Sequence, residues 1–551
     1  MKKILVLILL TFLSSSFLFA QQKLTETEKL ASTGKLWGFL KYYHPEVAKG
    51  TFNWDKQLIE VLPEVEQATT KEQLSEVYLK WIASLGKVKK TNTKSGDDYF
   101  EKNFNLSWIS DSTIFTPELS QKLRFIENNR NKRGNHYVST RKYVGNVIIT
   151  NEPEYKNFEY PDKHYRLLCL FRYWNIIEYF FPYKYQTDQN WNDVLLEMIP
   201  RFRDAKSATE YHLAILETVV KIDDGHTLPI YTKKLATFFG KYWIPINYAV
   251  IDNSIVISGF RYKGVDKRYD LKVGDAILEI DGISIAELLQ QNSKYTPASH
   301  QNGKEKRSSI ILRGHKPEVT ITYKRNGKIF EKTIHRDDVS TFKKIEPVAR
   351  DKTKWKQLSK NIAYVNLGNV ETSEVDQIMD SVTTCSKAII FDIRNRPKGT
   401  RVMRRISVRL KPQSDVFAKI IVPDLSYPGK FRWKEGVESG IRNKNYYKGK
   451  VILLVNGHTL SHGEYFTMCL QSSPNAITIG QQTAGADGNV SQFKLIGGFK
   501  TAMSGTGIFY PDGTETQRKG VKIDIEVEPT IAVVIENRDE ILEKAIEVAK
   551  D

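Results

Sequence analysis

Cysteine is scarce: Cys169, Cys385 and Cys469 are the whole complement of 551 residues. All three sit in apolar contexts at spacings that fit no metal site, so they read as core residues and a disulfide scaffold is excluded. Long apolar runs are missing beyond the first twenty residues, which leaves no segment able to span a bilayer. Basic helices and nucleic-acid motifs are missing too. The net charge of +18 is carried by Lys and Arg scattered along the chain, which describes a solvated basic surface rather than a nucleic-acid partner. The one apolar run, Ile4–Ala20 after Met1-Lys2-Lys3, reads as a signal peptide cut before Gln21. The chain is then expected to be exported, to the periplasm, the cell envelope or the medium, with no stable membrane span after cleavage. No cysteine follows the run, so a lipid anchor is not expected.

What is present is the composition of a globular protein, 40% hydrophobic and 26% charged, in a chain long enough for two to four domains. Leu36–Val47 (LWGFLKYYHPEV) resembles Tyr173–Lys184 (YWNIIEYFFPYK). Asn53–Ala68 (NWDKQLIEVLPEVEQA) resembles Asn190–Ala205 (NWNDVLLEMIPRFRDA). The pairs Trp37/Trp174, Asn53/Asn190, Trp54/Trp191 and Pro63/Pro200 are all offset by the same distance, 137 residues (174 − 37 = 137). A constant offset marks an internal duplication, so residues 21–240 are expected to hold two similar helical subdomains joined by a polar excursion, Lys87–Asp162. The aromatic stripes of the copies (Trp37, Tyr42, Tyr43; Trp174, Tyr179, Phe180, Phe181) read as core, with a hydrophobic-ligand lining as the alternative. The second copy ends in Asp223-Asp224-Gly225-His226-Thr227. A histidine at a helix exit beside two carboxylates can act as a base, with Asp223 or Asp224 orienting its ring; the plain alternative is a helix C-terminal cap.

Residues 241–335 change to short strands and turns: Ala249–Ser258, Ala276–Ile280, Val319–Lys324 and Lys328–Thr333, the last two joined at Arg325-Asn326-Gly327. Leu271–Gly282 (LKVGDAILEIDG) resembles the core of a PDZ domain, which implies strand addition of an extended peptide. Thr296–Lys306 reads as a mobile polar loop. From Asn361 the pattern becomes α/β. Strands Ile362–Leu367, Ala388–Arg394, Val451–Val455 and Ala476–Ile479 are expected, with a helix over Val370–Val382. The loops Asn395–Thr400 and Gly457–Ser461 both follow buried strands and are expected to meet at one sheet end. Ser461 lies between a buried strand and a helix start, where unpaired amides can hold an oxyanion; Ser461 with Glu464 also fits a capping box.

The order of these segments carries a resemblance. "DGHT", the PDZ-like module, "FDIRNRPKG", "VNGHTLSHGE", "IGQQTAG" and "GVKIDIEVEPT" are similar, in that sequence, to the C-terminal processing (tail-specific) serine peptidases. The resemblance is closer to the branch of tricorn and the retinoid-binding-protein-like relatives. It implies an α/β multidomain fold: a duplicated helical region, a PDZ-like β module and a ClpP/crotonase-like peptidase core over residues 352–551. It implies Ser461 as nucleophile in a Ser-x-x-Glu motif, with Leu460 in place of a small residue. It implies amides of Lys398, Gly399 and His462 as the oxyanion hole, with Lys398 replacing a glycine. The lysine base of the processing branch is replaced by Ala486, and Lys494 and Lys500 are out of register. The tricorn-like branch implies His226 as base, with Gly225 replacing a serine, and a third member at Gln517 where that branch has a glutamate; Glu515 is the nearest carboxylate. His458 and His462 are rival bases, and a zinc grouping of His458, His462 and Glu464 is disfavoured because Gly457–Leu460 is loop. Glu464 is expected to cap its helix. The expectation is an exported serine endopeptidase acting on polypeptides, reached in part through the PDZ-like module, with no cofactor and no metal. The alternative is an inactive peptidase fold that binds peptides or hydrophobic ligands.

Overall fold

The structure, a computed structural model, describes residues 23–91, 98–344 and 351–550. The expected leader, residues 1–20, lies outside the described residues. Among the described residues no helix is long and apolar enough to cross a membrane.

The duplication is visible in the hydrogen bonds. In the first copy, the helices Glu26–Tyr43 and Trp54–Gln67 are locked by a reciprocal pair: Trp37 Nε1 donates to the Trp54 carbonyl (3.1 Å) and Trp54 Nε1 donates to the Trp37 carbonyl (3.0 Å). In the second copy, helices Lys163–Phe180 and Trp191–Arg203 repeat it with Trp174 and Trp191, at 2.7 and 3.0 Å. Asn53 and Asn190 cap the second helix of each copy, accepting from Lys56 N and Asn192 N. Such exchange satisfies two buried indole donors at once, which a lone buried tryptophan cannot do. The copies then pack on each other. Gly38 has no side chain because Asn175 fills that space, and Asn175 Nδ2 donates to the Gly34 carbonyl at 2.9 Å. Lys41, Glu152, Arg172 and Asp55 form a buried ion network between the copies. All seven residues of the aromatic stripes are buried in this core, so they pack helices and line no open site.

The joining excursion is more structured than its composition suggests. It holds a helix, Pro117–Asn128, and a short hairpin, Val138–Thr140 with Val147–Ile149. In the middle module the single strand expected over Ala249–Ser258 is instead a hairpin, Ile246–Ile251 with Ser254–Phe260. Asp252 and Asn253 turn it with φ of 49° and 56°, a left-handed pair that these two residue types tolerate. Strands Ala276–Ile280, Ile283–Ser284, Glu318–Arg325 and Lys328–His335 complete the six-stranded sheet. Thr296–Lys306 is not a free polar loop. It runs into the helix Gln301–Arg307, and Ser299 and His300 bond to the helical region and to the core.

The carboxy-terminal sheet has six strands in the order Trp355–Ser359, Ile362–Asn366, Ala388–Asp392, Lys450–Val455, Ala476–Gly480, Ile525–Glu526. All neighbours are parallel except the first pair. The central strands are buried throughout, as parallel strands covered on both faces must be. The helix expected over Val370–Val382 starts later, at Val375–Cys385, because Glu371–Glu374 form a turn in which Glu374 caps Glu371 N. In parallel strands the chain always leaves at the same end. The loops after Asp392, Val455 and Gly480 therefore emerge side by side.

Candidate active site

Ser461 opens the helix His462–Gln471 with φ 55° and ψ −116°. A non-glycine residue at this backbone conformation is strained, at a cost of about 1–3 kcal/mol, and the surroundings must hold it. Glu464 is the clamp. Its buried carboxylate accepts from Ser461 N (3.0 Å), Thr483 Oγ1 (2.6 Å), Gly485 N (2.8 Å) and Ala486 N (3.1 Å). Burial pushes the Glu464 carboxyl up, and the same donors oppose that shift by stabilising its charge. Glu464 thus fastens the Ser461 turn to the loop that follows the next strand. With both oxygens so occupied, it is not placed to bind a metal with His458 and His462. The loop can cross because Gly480 has φ 144° and a Cβ there would lie 1.9 Å from the Val455 carbonyl oxygen.

The same Thr483–Ala486 loop receives the histidine turn from the helical region. A Cβ on Gly225 would sit 2.9 Å from Ala486 Cβ and 3.7 Å from the Ala484 carbonyl oxygen. Gly225 and Ala486 are thus packed directly against each other, so a side chain at 225 would require this loop to shift. Lys494 is elsewhere, bonded to Glu154 at 2.6 Å.

His226 is 8% exposed. Its Nδ1 lies 2.8 Å from Ser504 Oγ. Ser504 Oγ in turn donates to Asp224 Oδ1 at 3.0 Å, and Ser504 N donates to Asp224 Oδ2 at 2.5 Å. Asp224 also accepts from His226 N (3.0 Å), while its carboxylate stands 3.9 Å from Nδ1. The ring's other nitrogen, Nε2, is buried with no hydrogen-bond partner among the described residues. Burial holds the imidazole pKa below its usual 6.5; Asp224 opposes the shift, and Arg307 and Arg396 add to it. The ring is therefore neutral at neutral pH.

The other expected members fall as follows. Gln517 does not reach the imidazole; its amide nitrogen is 3.4 Å from Asp224 Oδ1. Glu515 bonds Tyr185 and Lys102 on the outside. Asp223 turns away to Lys304 and the Asp188 amide. Of the two carboxylates beside His226, only Asp224 serves it. Ser504, at the end of strand Lys500–Ser504, was not anticipated, since a serine 278 residues from the histidine carries no local sign.

Gly399 and His462 each stand at the start of a helix, Thr400–Leu410 and His462–Gln471. The first amides of a helix lie outside its own hydrogen-bond ladder and carry its positive end. Burial and Arg396 lower the pKa of the His462 ring, and the Gly399 backbone beside it opposes that shift. The Lys398 side chain points off to Glu371. The Asp-x-Arg of the preceding turn is a brace: Arg394 pairs with both Asp392 and Asp539, and Tyr364 OH donates to Asp392. Beside the His226 turn lies a mostly apolar cavity of about 430 Å³, walled by Thr227, Ile230, Phe239, Trp243, Tyr295 and Arg307 among others.

Residues 361–527, which hold Ser461 and the loops around it, match the model of peptidase family S41. That segment of the chain is similar to the family S41 peptidases. Among solved structures the chain is similar to mature CPAF complexed with lactacystin, with 12% identity, 70% of this chain and 98% of that chain covered, and a TM-score of 0.54. Mature CPAF alone gives 13% identity, 70% and 96% coverage and 0.52. The photosystem II D1 C-terminal processing protease gives 16%, 66% and 93%, and 0.40. The CPAF likenesses show a shared fold. No curated protein matches the chain. The S41 match covers the core and leaves His226, on the helical region, outside its bounds.

Proposed function

We propose that the chain is a serine peptidase of family S41, an exported endopeptidase of the C-terminal processing type, working through an acyl-enzyme on Ser461 with His226 as general base. The observation that carries the reading is the state of the imidazole: Nδ1 engaged by Ser504, Nε2 buried and unpartnered. With Nδ1–H donating to Ser504 Oγ, and Ser504 O–H donating to Asp224, the free lone pair is on Nε2. That is the tautomer a base needs.

In this reading Nε2 takes the Ser461 Oγ proton as Oγ bonds to the substrate carbonyl carbon. The oxyanion is held by the amides at the starts of the two helices, at Gly399 and His462; losing one such donor costs about 3–4 kcal/mol in the transition state. The imidazolium, steadied by Ser504 and Asp224, returns its proton to the leaving amine as the C–N bond breaks. Water then attacks the acyl-enzyme with the same nitrogen as base, and Ser461 is released with its proton. Gln517 has a supporting part here, holding Asp224 rather than the ring. The cavity beside Thr227 suits an apolar side chain of the substrate.

The test is hydrolysis of an unfolded protein such as casein by the mature chain, beside Ser461→Ala and His226→Ala, with and without a chelator. The reading predicts activity that both substitutions abolish and the chelator leaves alone. Activity surviving His226→Ala would move the base to His458 or His462 and overturn it.

A further inference from the structure

Two carboxylates are buried behind the Ser461 turn, and only one of them is furnished as a charge. Glu464 has four donors for its four lone-pair sites: Thr483 Oγ1 and Gly485 N on Oε1, Ser461 N and Ala486 N on Oε2. Three of these are backbone N–H groups, which can only donate. Thr483 Oγ1 itself accepts from Val521 N, so its own proton points to Glu464. Glu464 has no room for a proton and is held as the anion.

Asp487 follows the last of those donors, Ala486, and is 2% exposed. Its Oδ1 accepts from Gly488 N at 2.7 Å. Its Oδ2 is buried with no hydrogen-bond partner among the described residues. The loop is pinned here: Gly488 packs on Thr506, where a Cβ would lie 2.4 Å from the carbonyl oxygen. The titratable groups that feel Asp487 are Glu464 and Tyr465 from the helix His462–Gln471, Tyr183 beyond the helix Lys163–Phe180, and Tyr510 beyond the strand Gly507–Phe509. No cation is among them; Arg404 acts on Tyr465 and not on Asp487. An ion buried without a partner and beside a like charge costs far more than a neutral hydroxyl in the same place. Burial, and then the Glu464 charge, push the Asp487 carboxyl up, with only the Gly488 amide against them.

Resting on the serine-peptidase reading for its part in catalysis, we infer that Asp487 is a positioning residue that keeps its proton, so that Glu464 is the single buried charge fastening the Ser461 turn. An ionised Asp487 would set a second negative charge against that clamp. The proton divides the labour between the two carboxylates: one gathers the amides of the turn and the loop, and the other fills the space behind them without competing for donors.

The proton is read from stability against pH. An unfolded aspartate releases its proton at about pH 3.9, whereas the folded Asp487 retains it. Stability from this group is therefore full below about pH 3.9 and is lost as pH rises towards the folded value. Asp487→Asn and Asp487→Ala carry nothing that titrates. Expected in both is a Tm difference, variant minus parent, that grows by about 3 °C or more between about pH 5.5 and pH 8.5. A difference that stays constant with pH means an ordinary ionised aspartate and overturns the inference. The positioning is read from the rate at which a serine-directed fluorophosphonate labels Ser461 at about pH 7. Asp487→Ala should slow labelling about tenfold, and Asp487→Asn, uncharged and of the same shape, should recover most of the rate. Equal slowing in the two variants would mean that the negative charge is needed, which also overturns the inference. No labelling of Ser461 in the parent, with the Tm difference growing as expected, would count against the peptidase reading and not against the buried proton.

Discussion

At the scale of single residues, the site replaces one way of orienting a histidine by another. Gly225 and Ala486 are small because each occupies the other's space. With no serine at 225 and no carboxylate at 517, the imidazole is braced by Ser504 and Asp224. Asp224→Asn should therefore lower kcat by about 10³–10⁴-fold, the scale of losing the carboxylate behind a catalytic histidine. Ser504→Ala should cost less, roughly tenfold to a hundredfold, and Gln517→Ala least. The pH profile gives an independent reading. In the proposed mechanism His226 works unprotonated, and burial lowers its pKa from 6.5, so kcat/KM should fall only below that pH. Asp224 raises the ring's pKa, so Asp224→Asn should shift the acid limb further down. An unchanged limb, or a Gln517→Ala loss equal to that of Asp224→Asn, would contradict this wiring.

At the scale of elements, each strand and helix is placed by its own pattern, and errors arise where a distant contact decides. The central core strands Ala388–Asp392 and Lys450–Val455 are legible because uninterrupted apolar runs mean burial on both faces. The turns that carry Ser461 and His226 are legible because a strand–turn–helix and a Gly-His turn are local signatures; the roles proposed for the two residues await the experiments above. The order of Gln301–Arg307 is not. Its residues are polar, and it is fixed by distant partners: His300 on the Thr483 carbonyl, Ser299 on Gly225 N, Lys304 on Asp223 and Arg307 on the Gly225 carbonyl. Ser504 was hidden for the same reason. The helix junction at His44, between Glu26–Tyr43 and Pro45–Ala48, makes a prediction of its own. The ring is 1% exposed, and neither nitrogen has a hydrogen-bond partner among the described residues. Burial, against the pull of Glu46 and with the push of Lys122, lowers its pKa to about 4. The unfolded chain therefore binds a proton that the folded chain refuses. Stability from this group is full above pH 6.5 and is lost as pH falls from 6.5 towards 4, by about 3 kcal/mol. His44→Leu should flatten that part of the Tm-against-pH curve; an identical slope in the variant would show that the charge at His44 is not what acid exploits.

At the scale of the whole molecule, the site belongs to no single region. The helical region supplies His226 and Asp224, the core supplies Ser461, Ser504 and the two helix starts, and the middle module supplies Ser299, Lys306 and Arg307. The sequence order of these pieces resembles that of the C-terminal processing serine peptidases, but only their docking shows which carboxylate stands behind the His226 ring. The most direct measurement is labelling of the mature chain with a serine-directed fluorophosphonate, followed by mapping of the modified peptide. The account predicts one adduct, on Ser461, absent in Ser461→Ala and strongly slowed in His226→Ala. An adduct on another serine, or labelling of Ser461 at the parent rate in His226→Ala, would contradict it.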